Sequence, residues 1–82
     1  MTTVRLRLFA QAREAAGRSN DTFDAATLGD LLELATTRYG DGFTAVLERA
    51  RVWVNGDDPL AGDATLLADD DEVAVLPPVS GG

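Results

Sequence analysis

Eighty-two residues, 45% of them hydrophobic, suffice for one domain with a small core and leave no room for a second. The absence of cysteine and histidine removes disulfides, thiolate nucleophiles, the usual metal ligands and the commonest general base, so neither a self-contained hydrolase nor a metalloenzyme is expected. Fourteen acidic against seven basic residues, a formal charge of -7, disfavour nucleic acid and anionic membrane and point to a partner with a basic surface.

From Met1 the chain enters an alternating pattern directly, without the apolar run of a signal peptide or a membrane span, and a soluble cytoplasmic protein is expected. Val4, Leu6 and Leu8 alternate with Arg5, Arg7 and Phe9, which predicts a first strand with one aliphatic face. Ala10 to Ala16 are helix formers stopped by Gly17, and Ser19 to Asp24 make a weaker second strand that returns beside the first.

Thr27-Leu28-Gly29-Asp30 reads as a capped helix start. Leu28, Leu31, Leu32, Ala35 and Tyr39 then form one apolar stripe, with Arg38 in the last turn and Gly40 as a left-handed stop. Phe43, Val46 and Leu47 predict a further helical turn. Arg51 to Val54 form a short strand reversed at Asn55-Gly56. Leu60, Leu66 and Leu67, set among glycines, aspartates and a proline, suggest an irregular crossover whose leucines cover the core edge. Val73 to Leu76 are continuously apolar, the pattern of a central strand buried on both faces, and Pro77 ends it.

The chain then closes on Pro77-Pro78-Val79-Ser80-Gly81-Gly82. At an average glycine usage of about 7%, a Gly-Gly ending arises by chance roughly once in two hundred. All seven basic residues are arginine, so the chain has no side-chain amine to accept an isopeptide bond, although it is able to donate an acyl group.

Several motifs together carry a resemblance. They are Leu8-Phe9-Ala10 with Ala12-Arg13-Glu14 and Gly17, then Val54-Asn55-Gly56, then Asp71-Glu72-Val73-Ala74 running into Pro77-Pro78 and Gly81-Gly82. Jointly they resemble the ubiquitin-like β-grasp sulfur carriers, and most closely the molybdopterin synthase small-subunit branch. The resemblance implies an α+β fold, a mixed sheet on one main helix, with a β-grasp domain at residues 1-78 and an extended tail at 79-82.

It further implies a protein that is not catalytic alone. An ATP-dependent activating enzyme adenylates Gly82, and a sulfur donor such as a cysteine desulfurase or rhodanese-like protein replaces AMP to leave a 1-thioglycine thiocarboxylate. The synthase large subunit, in a heterotetramer, then takes the sulfur to build the dithiolene of molybdopterin. No cofactor is expected to be held stably by the carrier. Other sulfur pathways (thiamine or cysteine) and a ubiquitin-like modifier attached to target lysines use the same glycine.

The tail residues suit this work. Gly81 and Gly82 lack a Cβ and pass through a channel too narrow for side chains. Pro77 and Pro78 favour an extended path, and with Val79 and Ser80 they form the segment a partner grips. The alternative is a strand stop with a frayed end. Phe9 and Leu76 are the expected apolar contacts beside the exit, unless Phe9 turns into the core through a bulge. Leu60 is a third candidate contact, with burial an equal alternative. The run Asp69 to Glu72 reads as a solvated turn, with cation binding or steering as alternatives. Arg13 and Glu14 fit a surface ion pair, and Trp53 a sheet-surface packing residue.

Overall fold

A computed structural model describes residues 2–78. Its elements are β1 (Thr3–Leu8), α1 (Ala10–Ala16), β2 (Asn20–Asp24), α2 (Leu28–Tyr39), α3 (Asp41–Leu47), β3 (Arg51–Val54), a 3-10 turn (Gly62–Ala64) and β4 (Glu72–Leu76). The sheet order is β2-β1-β4-β3. β1 runs antiparallel to β2 and parallel to β4, and β3 runs antiparallel to β4, so the sheet is mixed.

The alternation in β1 does what its period requires, placing Val4, Leu6 and Leu8 inside and Thr3, Arg5 and Arg7 outside. Register extends that division across the sheet. Val73 and Val75 lie opposite Leu6 and Leu8, and Val52 and Val54 lie opposite Val75 and Val73, all on the inner face. Leu28, Leu31 and Ala35 of α2, Ala12 of α1 and Phe43 of α3 close over that face, and Leu67 seals one edge. At about 25 cal/mol per Å² of apolar surface removed from water, this single cluster is the main source of stability.

The helices begin and end for local reasons. The Thr27 hydroxyl accepts from the Asp30 N–H at the start of α2. Gly29, in the first turn, lets α2 approach the 3-10 turn closely, since a Cβ there would lie 3.0 Å from the Asp63 Cβ. Gly40 has φ 93 but ψ -169, so it is not the left-handed helical stop expected. It instead swings the chain directly into α3, which begins at the next residue. Asn55 (φ 51) and Gly56 (φ 82) form the expected tight turn, closed by paired hydrogen bonds between Val54 and Asp57.

Two expectations about leucines and valines need correction. Among the crossover leucines only Leu67 covers the core; Leu60 is 96% and Leu66 80% exposed. The irregular segment runs along the β3 edge and the start of α2, where Leu28 donates to the Thr65 carbonyl, and it turns the other two outward. β4 is indeed central, but Ala74 and Leu76 are only half-buried while Val73 and Val75 are fully buried. The helices cover one face of the sheet and leave the other open. Among the described residues no helix is long and apolar enough to cross a membrane.

Candidate partner-docking face

The uncovered sheet face meets the chain's exit at one end of the molecule. Because β1 and β4 are parallel, the last residues of both strands lie at that end, with Leu8 opposite Val75. Phe9 continues the ladder: its backbone is extended (φ -122, ψ 151) and its N–H donates to the Val75 carbonyl at 3.3 Å. Alternation therefore puts Phe9 on the outer face, one step beyond Arg7, and no bulge turns it inward. Its ring is 38% exposed, and the Arg7 guanidinium sits 5.6 Å from its centroid.

Ala10 must then leave the strand abruptly. Its φ of 49 is left-handed, an unusual conformation for alanine, and it starts α1 directly after Phe9. The Phe9 carbonyl accepts from the Ala12 and Arg13 N–H groups, which fixes the corner from behind.

Leu76 shares the outer face with Phe9, as does Arg51, its partner across β3. Trp53 and Ala74 form the next pair on this face. Trp53, expected to pack on the sheet surface, is half-buried opposite Ala74 and extends the apolar strip. The sequence held the signal, since Arg51 and Trp53 alternate with Val52 and Val54. Pro77 is buried where the chain leaves β4, and Pro78 is exposed. Phe9, Leu76, Pro77 and Pro78 are thus brought together at the exit, whereas Val79, Ser80, Gly81 and Gly82 lie outside the described residues.

Leu60 is not part of this cluster. It flanks an open groove of about 550 Å³ lined by Val54, Pro59, Ala64 and Leu66, at the far end of β3 from Arg51. Three residue steps along the strand separate the two ends of the Arg51-to-Val54 pairing, roughly 10 Å.

The acidic run is a backbone clamp as well as a turn. The Asp69 carboxylate accepts from the Thr3 N–H at 2.7 Å, and Asp71 accepts from the Ala68 N–H and from Asn55 Nδ2. The Ala68 bond and then the Asn55 bond hold the Asp71 carboxyl below its ordinary value. Glu72 lies between Arg5 and Arg7, with N···O distances of 3.9 and 3.8 Å. Arg13 and Glu14 make no ion pair among the described residues.

A mixed four-stranded sheet grasping a helix, with one open face beside the exit of its last strand, defines a ubiquitin-like β-grasp protein. Solved structures agree. Small archaeal modifier protein 1 from Methanosarcina acetivorans superposes with a TM-score of 0.87 at 33% identity, covering 100% of this chain and 98% of that one. Subunits 1 and 2 of the molybdopterin-converting factor of Helicobacter pylori, solved as a protein-protein complex, include a chain matching with a TM-score of 0.76 at 25% identity, over 99% of this chain and 100% of that one.

Sequence comparison narrows the class. The ThiS family model matches residues 6–82, and the chain belongs to the ThiS family. It is 37% identical to small archaeal modifier protein 3 of Haloferax volcanii, over 96% of this chain and 98% of the relative. It is 33% identical to the molybdopterin synthase sulfur carrier subunit of Chlamydomonas reinhardtii, over the same shares. The protein is a small sulfur carrier or ubiquitin-like modifier of this family and not itself an enzyme.

Proposed function

We propose that this protein is the sulfur carrier of molybdopterin synthesis, working through the carboxylate of Gly82. A carboxylate with a reference pKa near 3.5 is a poor electrophile. In the proposed cycle an activating enzyme therefore joins a Gly82 oxygen to the α-phosphorus of ATP, releasing pyrophosphate. The terminal sulfur of a persulfide on a desulfurase or rhodanese-like donor then displaces AMP to form an acyl disulfide. A thiol reductant cleaves its S–S bond to free the Gly82 thiocarboxylate, and this passes its sulfur to the pterin precursor held by a synthase large subunit. The carrier supplies sulfur and position; its partners supply catalysis.

The observation that carries this reading is that Phe9 and Leu76 stand at one end of the open face where the chain leaves β4 through Pro77 and Pro78, directly before Val79-Ser80-Gly81-Gly82 in the sequence. An apolar anchor beside an insertable tail suits a protein handed between enzymes. The likeness to the Chlamydomonas carrier subunit supports the molybdopterin branch. The likeness to the archaeal modifiers supports a second reading, in which a target-protein amine captures the same activated glycine.

Intact mass after incubation with the cognate activating enzyme, ATP and a sulfur donor tests the proposal. Replacement of one oxygen by sulfur, lost on deleting Gly82, followed by pterin conversion with the large subunit, is the expected result. No sulfur gain, with an enzyme that works on a known carrier, would overturn it. Protein conjugates in lysates that vanish with Gly82 would favour the modifier reading.

A further inference from the structure

Net charge and local charge have opposite signs on this molecule. Arg5, Arg7 and Arg51 stand on the open sheet face, and Glu72 offsets one of their charges. Asp24, at the corner farthest from the exit, is turned onto the Thr2 N–H. Toward the exit the face ends in Arg7 and Arg51, flanking Leu76 and Phe9. Arg51 is exposed and makes no ion pair among the described residues.

The opposite end is mainly acidic, although the Arg5 guanidinium reaches it and donates to the Asp70 carbonyl at 3.3 Å. Asp57 and Asp58 follow the β3 turn, and Asp69 and Asp70 precede β4. Beyond Arg51 every charged residue of the sequence is an acid. From Asp71 to Leu76 the strand spans roughly 16 Å at its ordinary rise. That exceeds the Debye length of about 10 Å at 0.1 M salt, so an approaching protein responds to the nearer end rather than to the total of -7.

We infer that the exit face docks on a partner surface rimmed with carboxylates, and that Arg7 and Arg51 steer the carrier tail first onto it. This replaces the basic partner expected from composition, and it rests on the carrier reading above. A basic surface would be repelled by the exit face and drawn to the acidic end, where no tail emerges. Phe9, Leu76 and Trp53 supply the apolar contact, and the guanidinium groups supply orientation at its rim.

Association of the intact carrier with its cognate activating enzyme, followed by stopped flow at low and high salt, is the test. Arg51→Glu and the double variant Arg7→Glu/Arg51→Glu should associate about tenfold or more slowly at low salt, with a flattened salt dependence. Asp57→Lys/Asp58→Lys should match the parent. The single variant guards against misfolding, because Arg51 is exposed and has no ion pair to lose among the described residues. Sulfur gain by intact mass is read on the same samples. Arginine variants that associate like the parent, or slowing confined to the aspartate variant, while the parent still gains sulfur, would overturn the inference and leave the carrier function standing. A parent that gains no sulfur from an enzyme active on a known carrier would remove both.

Discussion

The Tyr39 hydroxyl donates to the Asp21 carboxylate at 2.6 Å and joins the end of α2 to the edge strand β2. Arg38 Nη1 donates to the same oxygen at 2.9 Å while its guanidinium lies 4.2 Å from the Phe23 ring centroid. Arg18 adds a contact at 3.2 Å, and the Thr22 N–H donates to the other oxygen. Burial alone would raise the Asp21 carboxyl, but the bonds from Tyr39, Arg38 and Thr22 outweigh it and hold it below its ordinary 3.8.

Tyr39→Phe should therefore cost about 2 kcal/mol, the typical worth of a hydrogen bond to a charged group. A lowered folded pKa contributes stability that is present above the unfolded value of about 3.9 and lost as pH falls below it. Tyr39 works in the other direction. Burial first, then the Asp21 bond and charge, push its hydroxyl far above 10, so its contribution is intact below about pH 10 and lost as pH rises beyond it. Urea midpoints across pH should show Asp21→Asn flattening the acid limb and Tyr39→Phe flattening the alkaline one.

Ala10→Gly should raise stability by about 0.5–1 kcal/mol, because glycine relieves the left-handed φ at the Phe9 corner at some entropic cost in the unfolded chain. Ala10→Val should lower it. Equal urea midpoints for the two variants would refute the strain.

Asn55→Ala removes the amide that donates to Asp71 and accepts from the Glu72 N–H at 2.9 Å, and it puts alanine at positive φ. A loss of about 2 kcal/mol is expected. The Asp71 carboxyl, read by NMR titration, should move up toward 3.8 as its second hydrogen bond disappears.

Binding and chemistry should separate at the exit. Phe9→Ala should weaken affinity for the activating enzyme by about 2 kcal/mol, as truncating an anchor does. Gly81→Val should leave folding intact and block adenylation or sulfur transfer, because a side chain obstructs a narrow channel. Isothermal titration and intact mass, run on both variants, distinguish the two effects; equal turnover by Gly81→Val would refute the channel argument.

Much of the fold was legible because periodicity reports burial. The β1 alternation, the α2 stripe and the Asn55-Gly56 turn each announce a local geometry, and the structure holds all three. Legibility failed where a residue's fate depends on distant partners. Asp21 looks like an ordinary edge residue, and nothing local reveals that Tyr39, eighteen positions away, satisfies it. Leu60 and Leu66 lie in a segment without period, so composition alone suggested burial. In Val73 to Leu76 a core-facing pair and an outward pair are equally apolar, so an open apolar strip imitates a second buried face. Net charge alone suggests a basic partner, because a sum carries no positions; the placement of Arg7 and Arg51 is what argues otherwise.

The placement of β4 also governs whether the exit face exists at all. β1 and β2 pair with each other directly, but β3 has β4 as its sheet neighbour and reaches β1 only through it. Without β4 in place, the sheet reduces to the β1-β2 pair and a β3 strand with no partner. Only a finished and assembled protein aligns Phe9 with Leu76. The exit face is thereby a property of the assembled sheet, and a chain in which β4 is displaced loses the face even with every residue of it present.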